Sequence, residues 1–170
     1  MARPYSVLFV SSGNCVRSIL AEASLNHWGG DRFRAFSAGT QPTGTVHPLA
    51  IDVLRTNSLS IDGLRSKSWS EFEGPDAPSL DFVFMLCDKA ANENCPVWPG
   101  HPVTAQWNIE EPAADEGAAE RDRKGVQDAF RAVDARIRIF ANLRLEALDR
   151  LSLQSHLDDR NLLADRARTS

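Results

Sequence analysis

Ser11-Ser12-Gly13-Asn14-Cys15-Val16-Arg17-Ser18 follows the apolar run Val7-Leu8-Phe9-Val10 and precedes an amphipathic stretch. A strand that ends in a tight glycine-containing turn, and then opens a helix, points its backbone N–H groups into one small concavity at the helix N-terminus. That is an anion site. Ser12, Gly13, Asn14, Cys15, Val16, Arg17 and Ser18 are its expected lining. Arg17 closes the turn, where its planar guanidinium can fork onto two oxygens of a tetrahedral oxyanion. The stretch therefore reads as a cradle for phosphate or arsenate. Position 11, the best placed to attack a bound oxyanion, carries the hydroxyl of Ser11 and not a thiol.

Outward from this loop, strand and helix patterns alternate. The first strand is expected over 6–10, and the helix after the loop places Ile19, Leu20, Ala23 and His27 on one face before Gly29-Gly30 ends it. Residues 33–38 read as a second strand closed by Gly39. His47-Pro48 starts a helix with Ala50, Val53 and Leu54 inward. The near-continuous apolar run from Leu80 to Cys87 is typical of a central parallel strand. Residues 103–109 supply a last strand. From Gly117 onward, Val126, Ala129, Phe130, Val133, Ile137, Phe140 and Leu143 or Leu145 recur at helical spacing. This alternation implies βαβ crossovers and a parallel sheet, with ligands bound beyond the carboxyl ends of the strands. The loop at 11–18 and Cys87 both open onto that edge.

The length of 170 residues suits one α/β domain, expected over 5–147, followed by a charged helix or tail over 148–170. No apolar run is long enough to span a bilayer, and Met1-Ala2-Arg3-Pro4 leads into the first strand pattern without a signal-peptide core, so a cytoplasmic protein is expected. A net charge of -4 argues against a nucleic-acid binder. Cys15, Cys87 and Cys95 match no zinc module, and the four histidines are scattered, so neither a metal nor a cofactor is expected.

Several segments together resemble one family. Residues 11–18 are similar to the Cys-x5-Arg-Ser loop of the low-molecular-weight protein tyrosine phosphatase fold, with Ser11 in the nucleophile slot. Ser37-Ala38-Gly39-Thr40 resembles the turn after that family's second strand. The segment from Leu86 to Gly100, with Cys87 and Cys95, resembles the redox segment of its thioredoxin-coupled arsenate reductase branch. Trp107-Asn108-Ile109-Glu110-Glu111-Pro112-Ala113 resembles the segment carrying the general acid. The resemblance runs in order over about residues 5–143.

It implies a single-domain three-layer sandwich, with a central parallel four-stranded sheet and helices on both faces. It also implies a cysteine relay reducing arsenate to arsenite, in which Cys87 and Cys95 take the second and third positions. Thioredoxin or glutaredoxin would be the reductant, and arsenate or a phosphate-like oxyanion the ligand. Two departures fall on chemistry. Ser11 forms neither a thiolate nor a disulfide, and Glu111 replaces an aspartate in the acid slot with a carboxylate one methylene longer.

Other positions carry two readings each. Cys15 is either packed under the loop or a substitute thiol. Arg65, Lys67 and Ser68 either face the site or form a solvated basic turn. Asn14 braces the loop, and Ser18 caps the helix and points toward residue 11. Trp98 and Trp107 read as packing residues, with a reductant-docking surface as the alternative. Three functions remain: an arsenate reductase with an altered or impaired relay, a low-molecular-weight phosphatase, and a non-catalytic oxyanion binder.

Overall fold

The computed structural model describes residues 3–86, 102–109 and 119–145, together with Leu157. Cys87, Cys95, Trp98 and Glu111 lie outside the described residues. The elements in chain order are β1 (Tyr5–Ser11), α1 (Arg17–Trp28), β2 (Phe33–Gly39), α2 (Pro48–Thr56), β3 (Phe82–Met85), β4 (Val103–Gln106) and α3 (Ala119–Ala141). Two 3-10 turns, Gly30–Arg32 and Trp69–Phe72, punctuate them.

The four strands form one parallel sheet in the order β2-β1-β3-β4. β1 is central, paired with β2 from Tyr5↔Phe33 to Ser11↔Gly39 and with β3 from Val7↔Phe82 to Val10↔Met85. A strand flanked on both sides and covered on both faces needs apolar residues at every position, which is why Val7 to Val10 do not alternate. β4 is an edge in the described sheet, and its residues do alternate: Val103 and Ala105 are buried while Thr104 is exposed.

Side chains of successive β1 residues leave opposite faces of the sheet. Val7 and Phe9 join the larger core, with Ile19 and Leu20 of α1, Ala50 and Leu54 of α2, and Phe130, Val133, Ile137 and Phe140 of α3. Leu8 and Val10 join a smaller core with Val83, Met85, Leu80 and Phe72, so the 3-10 turn at 69–72 covers that face among the described residues. The α/β architecture and the four-stranded parallel sheet agree with the sequence expectation.

Two local expectations need correction. His27 does not join Ile19, Leu20 and Ala23 in the core; it is exposed and stands edge-on to the ring of Trp28, which itself turns to Asp134 and Arg138 of α3. Ser18 does not cap α1. The cap position is Val16, which makes no side-chain capping bond, and Ser18 already lies inside the helix. The expected start of α2 is present, with Pro48 in the first turn and the His47 Nδ1 atom accepting from the Leu49 N–H at 3.1 Å.

Candidate oxyanion site

β1 ends at Ser11 and α1 begins at Arg17, so the loop lies at the carboxyl edge of the central strand. Its carbonyls are held from outside by a neighbouring strap. Thr40 N–H donates to the Ser11 carbonyl at 3.1 Å, Gln41 N–H to Ser12 at 2.9 Å, Thr43 N–H to Gly13 at 3.0 Å and His47 N–H to Cys15 at 3.0 Å. The Ser66 hydroxyl adds a second bond to the Gly13 carbonyl at 3.1 Å. In a planar trans peptide the N–H of the next residue points opposite the carbonyl. Turning these carbonyls outward therefore turns the N–H groups of Ser12, Gly13, Asn14 and Val16 toward the concave side, which is the geometry of an anion nest.

Asn14 carries the loop's left-handed residue, with φ of 48°, and asparagine tolerates that region better than most side chains. Its fully buried side chain ties three segments: Nδ2 donates to Ser18 Oγ at 2.7 Å, and Oδ1 accepts from the Lys67 N–H at 2.9 Å. Ser18 Oγ in turn lies 2.7 Å from Ser11 Oγ, and both serines are buried. The bracing role of Asn14 and the pointing of Ser18 toward residue 11 follow from these contacts.

Arg17 is buried, and its Nη1 donates toward the carbonyls of Leu86 at 3.4 Å and Ile109 at 3.3 Å. The guanidinium is thus seated where the ends of β3 and β4 meet the loop. Cys15 is half-buried against the larger core. Its Sγ lies 3.3 Å from where a Cβ on Gly13 would stand, beside the Thr43 methyl, on the strap side of the loop.

Sequence reasoning missed the layer beneath. Glu22 of α1 accepts the Ser37 hydroxyl at 2.6 Å and faces Lys67 Nζ at 3.7 Å, all three groups being buried. Burial pushes the Glu22 carboxyl above its usual range, against the pull of Ser37 and Lys67. Burial likewise lowers the Lys67 ammonium, against the pull of Glu22. The detectable sign was a glutamate set inside the apolar stripe of α1. Of the basic turn, Lys67 belongs to this layer, whereas Arg65 is exposed and forks onto Glu71 at 2.6 and 3.1 Å.

Gly39 explains why the Ser37-Ala38-Gly39-Thr40 turn reaches the loop so closely. A Cβ there would lie 2.7 Å from the Ser12 carbonyl oxygen and 2.9 Å from Asn14 Cβ. Ser11, Asn14, Arg17 and Ser18 are therefore brought together. The other three expected catalytic residues, Cys87, Cys95 and Glu111, fall outside the described residues.

A parallel sheet with a phosphate-type loop after its first strand defines a class, and the comparisons agree with it. Residues 6–150 match the low molecular weight phosphotyrosine protein phosphatase family, and the chain belongs to that family. Within it the chain is arsenate reductase-like. It is 31% identical over 137 residues to an arsenate reductase of Bacillus licheniformis, covering 80% of this chain and 94% of that protein. A solved arsenate reductase in the phosphate binding state superposes with a TM-score of 0.64 at 24% identity, over 81% of this chain and 96% of that one. A thioredoxin-dependent arsenate reductase from Corynebacterium glutamicum gives a TM-score of 0.60 at 24% identity, over 82% of this chain and 61% of that one. At such identities the two solved structures show the shared fold. Among the described residues no helix is long and apolar enough to cross a membrane.

Proposed function

We propose that this chain is an arsenate reductase-like protein whose 11–18 loop binds arsenate or phosphate, and whose thiol relay is stopped at its first step by Ser11. The observation that carries this reading is the Ser11 hydroxyl, buried and set 2.7 Å from the hydroxyl of Ser18. A serine nucleophile needs an adjacent general base. Here its side-chain partner among the described residues is another hydroxyl, which accepts from Asn14 and has no tendency to take a proton near neutral pH. In the relay, a first thiolate forms a sulfur–arsenic bond, and a second attacks that sulfur, closing a disulfide as arsenic leaves as arsenite with two electrons. An oxygen at position 11 closes no disulfide.

The remaining parts fit a binding site that kept its scaffold. Inward-turned amides and the seated Arg17 guanidinium suit a tetrahedral oxyanion. Cys87 and Cys95 take the second and third relay positions, Glu111 the acid position, and thioredoxin or glutaredoxin is the reductant that such a disulfide would meet. We place the protein in the cytoplasm. The strap-side position of Cys15 speaks against its replacing the missing thiol.

The test is arsenite production from arsenate with thioredoxin, thioredoxin reductase and NADPH, run on the unmodified chain and on Ser11→Cys. The reading expects turnover by Ser11→Cys alone. Turnover by the unmodified chain that is lost in Cys15→Ser would overturn it and assign the attack to Cys15.

A further inference from the structure

Trp107 follows β4 directly and is fully buried, its ring centroid 4.2 Å from that of Phe84 and 5.9 Å from that of Phe9. An indole N–H donates and cannot accept, and burial removes the water it would otherwise meet. Its acceptor is the main-chain carbonyl of Leu157, at 3.0 Å. Leu157 has no exposed surface and belongs to the same core as Trp107. It also lies beyond residue 150, where the family match ends.

The segment that begins at Trp107 reaches the oxyanion loop. Trp107 N–H donates to the Met85 carbonyl at 2.8 Å, and Ile109 N–H toward Leu86 at 3.4 Å. The carbonyls of Leu86 and Ile109 are the two that receive Arg17 Nη1. A chain of contacts therefore runs from Leu157 through Trp107 and the 107–109 turn to the guanidinium.

We propose that Leu157 is a positioning residue of the oxyanion site: this one residue, outside the family match, anchors Trp107, and through it the carbonyls that seat Arg17. This rests on the oxyanion reading of the loop. It gives Leu157 a role in the site, acting from the far end of the 107–109 segment. The large buried ring makes the coupling stiff, since a tryptophan that loses its acceptor must move its whole ring to find water.

The experiment uses the full chain, uniformly 15N-labelled, as the parent and as Leu157→Ala and Leu157→Asp, with Trp107→Phe to assign the indole signal. The solvent exchange rate of the Trp107 indole proton and the affinity for inorganic phosphate are measured together. The proposal expects slow exchange in the parent. In Leu157→Asp, whose carboxylate is too costly to bury and so carries the main-chain carbonyl away from the indole, exchange should accelerate and phosphate binding weaken by about tenfold each, as loss of one buried hydrogen bond implies. Leu157→Ala should give a smaller change in the same direction, and it serves alone if the aspartate variant does not fold. Fast exchange in the parent, or accelerated exchange with unchanged phosphate affinity, overturns the proposal. If the parent binds no phosphate, the failure belongs to the oxyanion reading. The Arg17 Nε–H resonance then decides: a shift on Leu157 substitution sustains the coupling, and an unmoved signal overturns it.

Discussion

Gly39 shows how a single atom limits this loop. No Cβ fits between the Ser12 carbonyl oxygen and the Asn14 side chain, at 2.7 and 2.9 Å, and the nearer obstacle is backbone held by Gln41 N–H. Overpacking of this kind costs about 1–3 kcal/mol. Gly39→Ala should therefore lower the urea midpoint of unfolding and weaken phosphate binding, because Ser12 and Asn14 both frame the concavity. An unchanged midpoint and affinity would mean that the loop tolerates displacement by the strap. Ser11 is a residue-scale matter of a different kind. Its hydroxyl is buried and bonded to Ser18, and an alcohol, unlike a thiol, closes no disulfide.

Between elements, α1 is tied to β2 and to the 65–68 turn through Glu22, Ser37 and Lys67. The layer braces the loop from behind, since Lys67 also gives its N–H to Asn14 and its carbonyl to Gly39 N–H at 2.8 Å. Its energetics depend on pH. Burial raises the Glu22 carboxyl above 4.5, so the folded chain keeps that proton to higher pH than the unfolded chain does. The stabilisation this gives is complete below 4.5 and is lost as pH rises through the folded value. Parent stability should therefore fall relative to Glu22→Gln as the pH is raised from below the ordinary glutamate value of 4.5 toward neutrality. Urea denaturation of both proteins at matched pH values measures the difference, in which the titrating groups not in contact with Glu22 cancel. A parent that gains on Glu22→Gln over that range would show that the contacts with Ser37 and Lys67 outweigh burial.

At the scale of the whole molecule, the site lies at the carboxyl edge of a sheet whose two faces are filled by separate cores, so an oxyanion bound there stabilises the folded chain as a unit. A ligand that binds only the folded state adds stability by mass action, about 2.7 kcal/mol at a hundredfold excess over its dissociation constant. The thermal midpoint should rise with inorganic phosphate, and the rise should shrink in Arg17→Lys, which keeps the charge and loses the planar fork. An equal rise in both proteins would remove Arg17 from the site. The same scale explains the long reach of the core. Phe84 touches Phe9, Trp107 and Phe140, so β1, β3, the turn after β4 and α3 share one aromatic cluster.

What the sequence determined by itself was everything set by local pattern. The unalternating run Val7 to Val10 required a strand covered on both faces, and the glycine turn with Arg17 after it required a tight strand-to-helix loop. His47-Pro48 required a helix start, and the helical period of Val126 to Phe140 required α3. Ser11 was visible at once as a change in chemistry. Tertiary structure alone decided the partners of groups far apart in the chain: Glu22 with Lys67, Asn14 with Lys67, Arg17 with Leu86 and Ile109, and Trp107 with Leu157. It also placed His27 outside the core and Cys15 on the strap side. The reason is physical. Periodicity and turn chemistry act over a few residues, whereas the burial of a charge or the acceptor of an indole N–H is fixed only when strand order brings distant segments to one edge of the sheet.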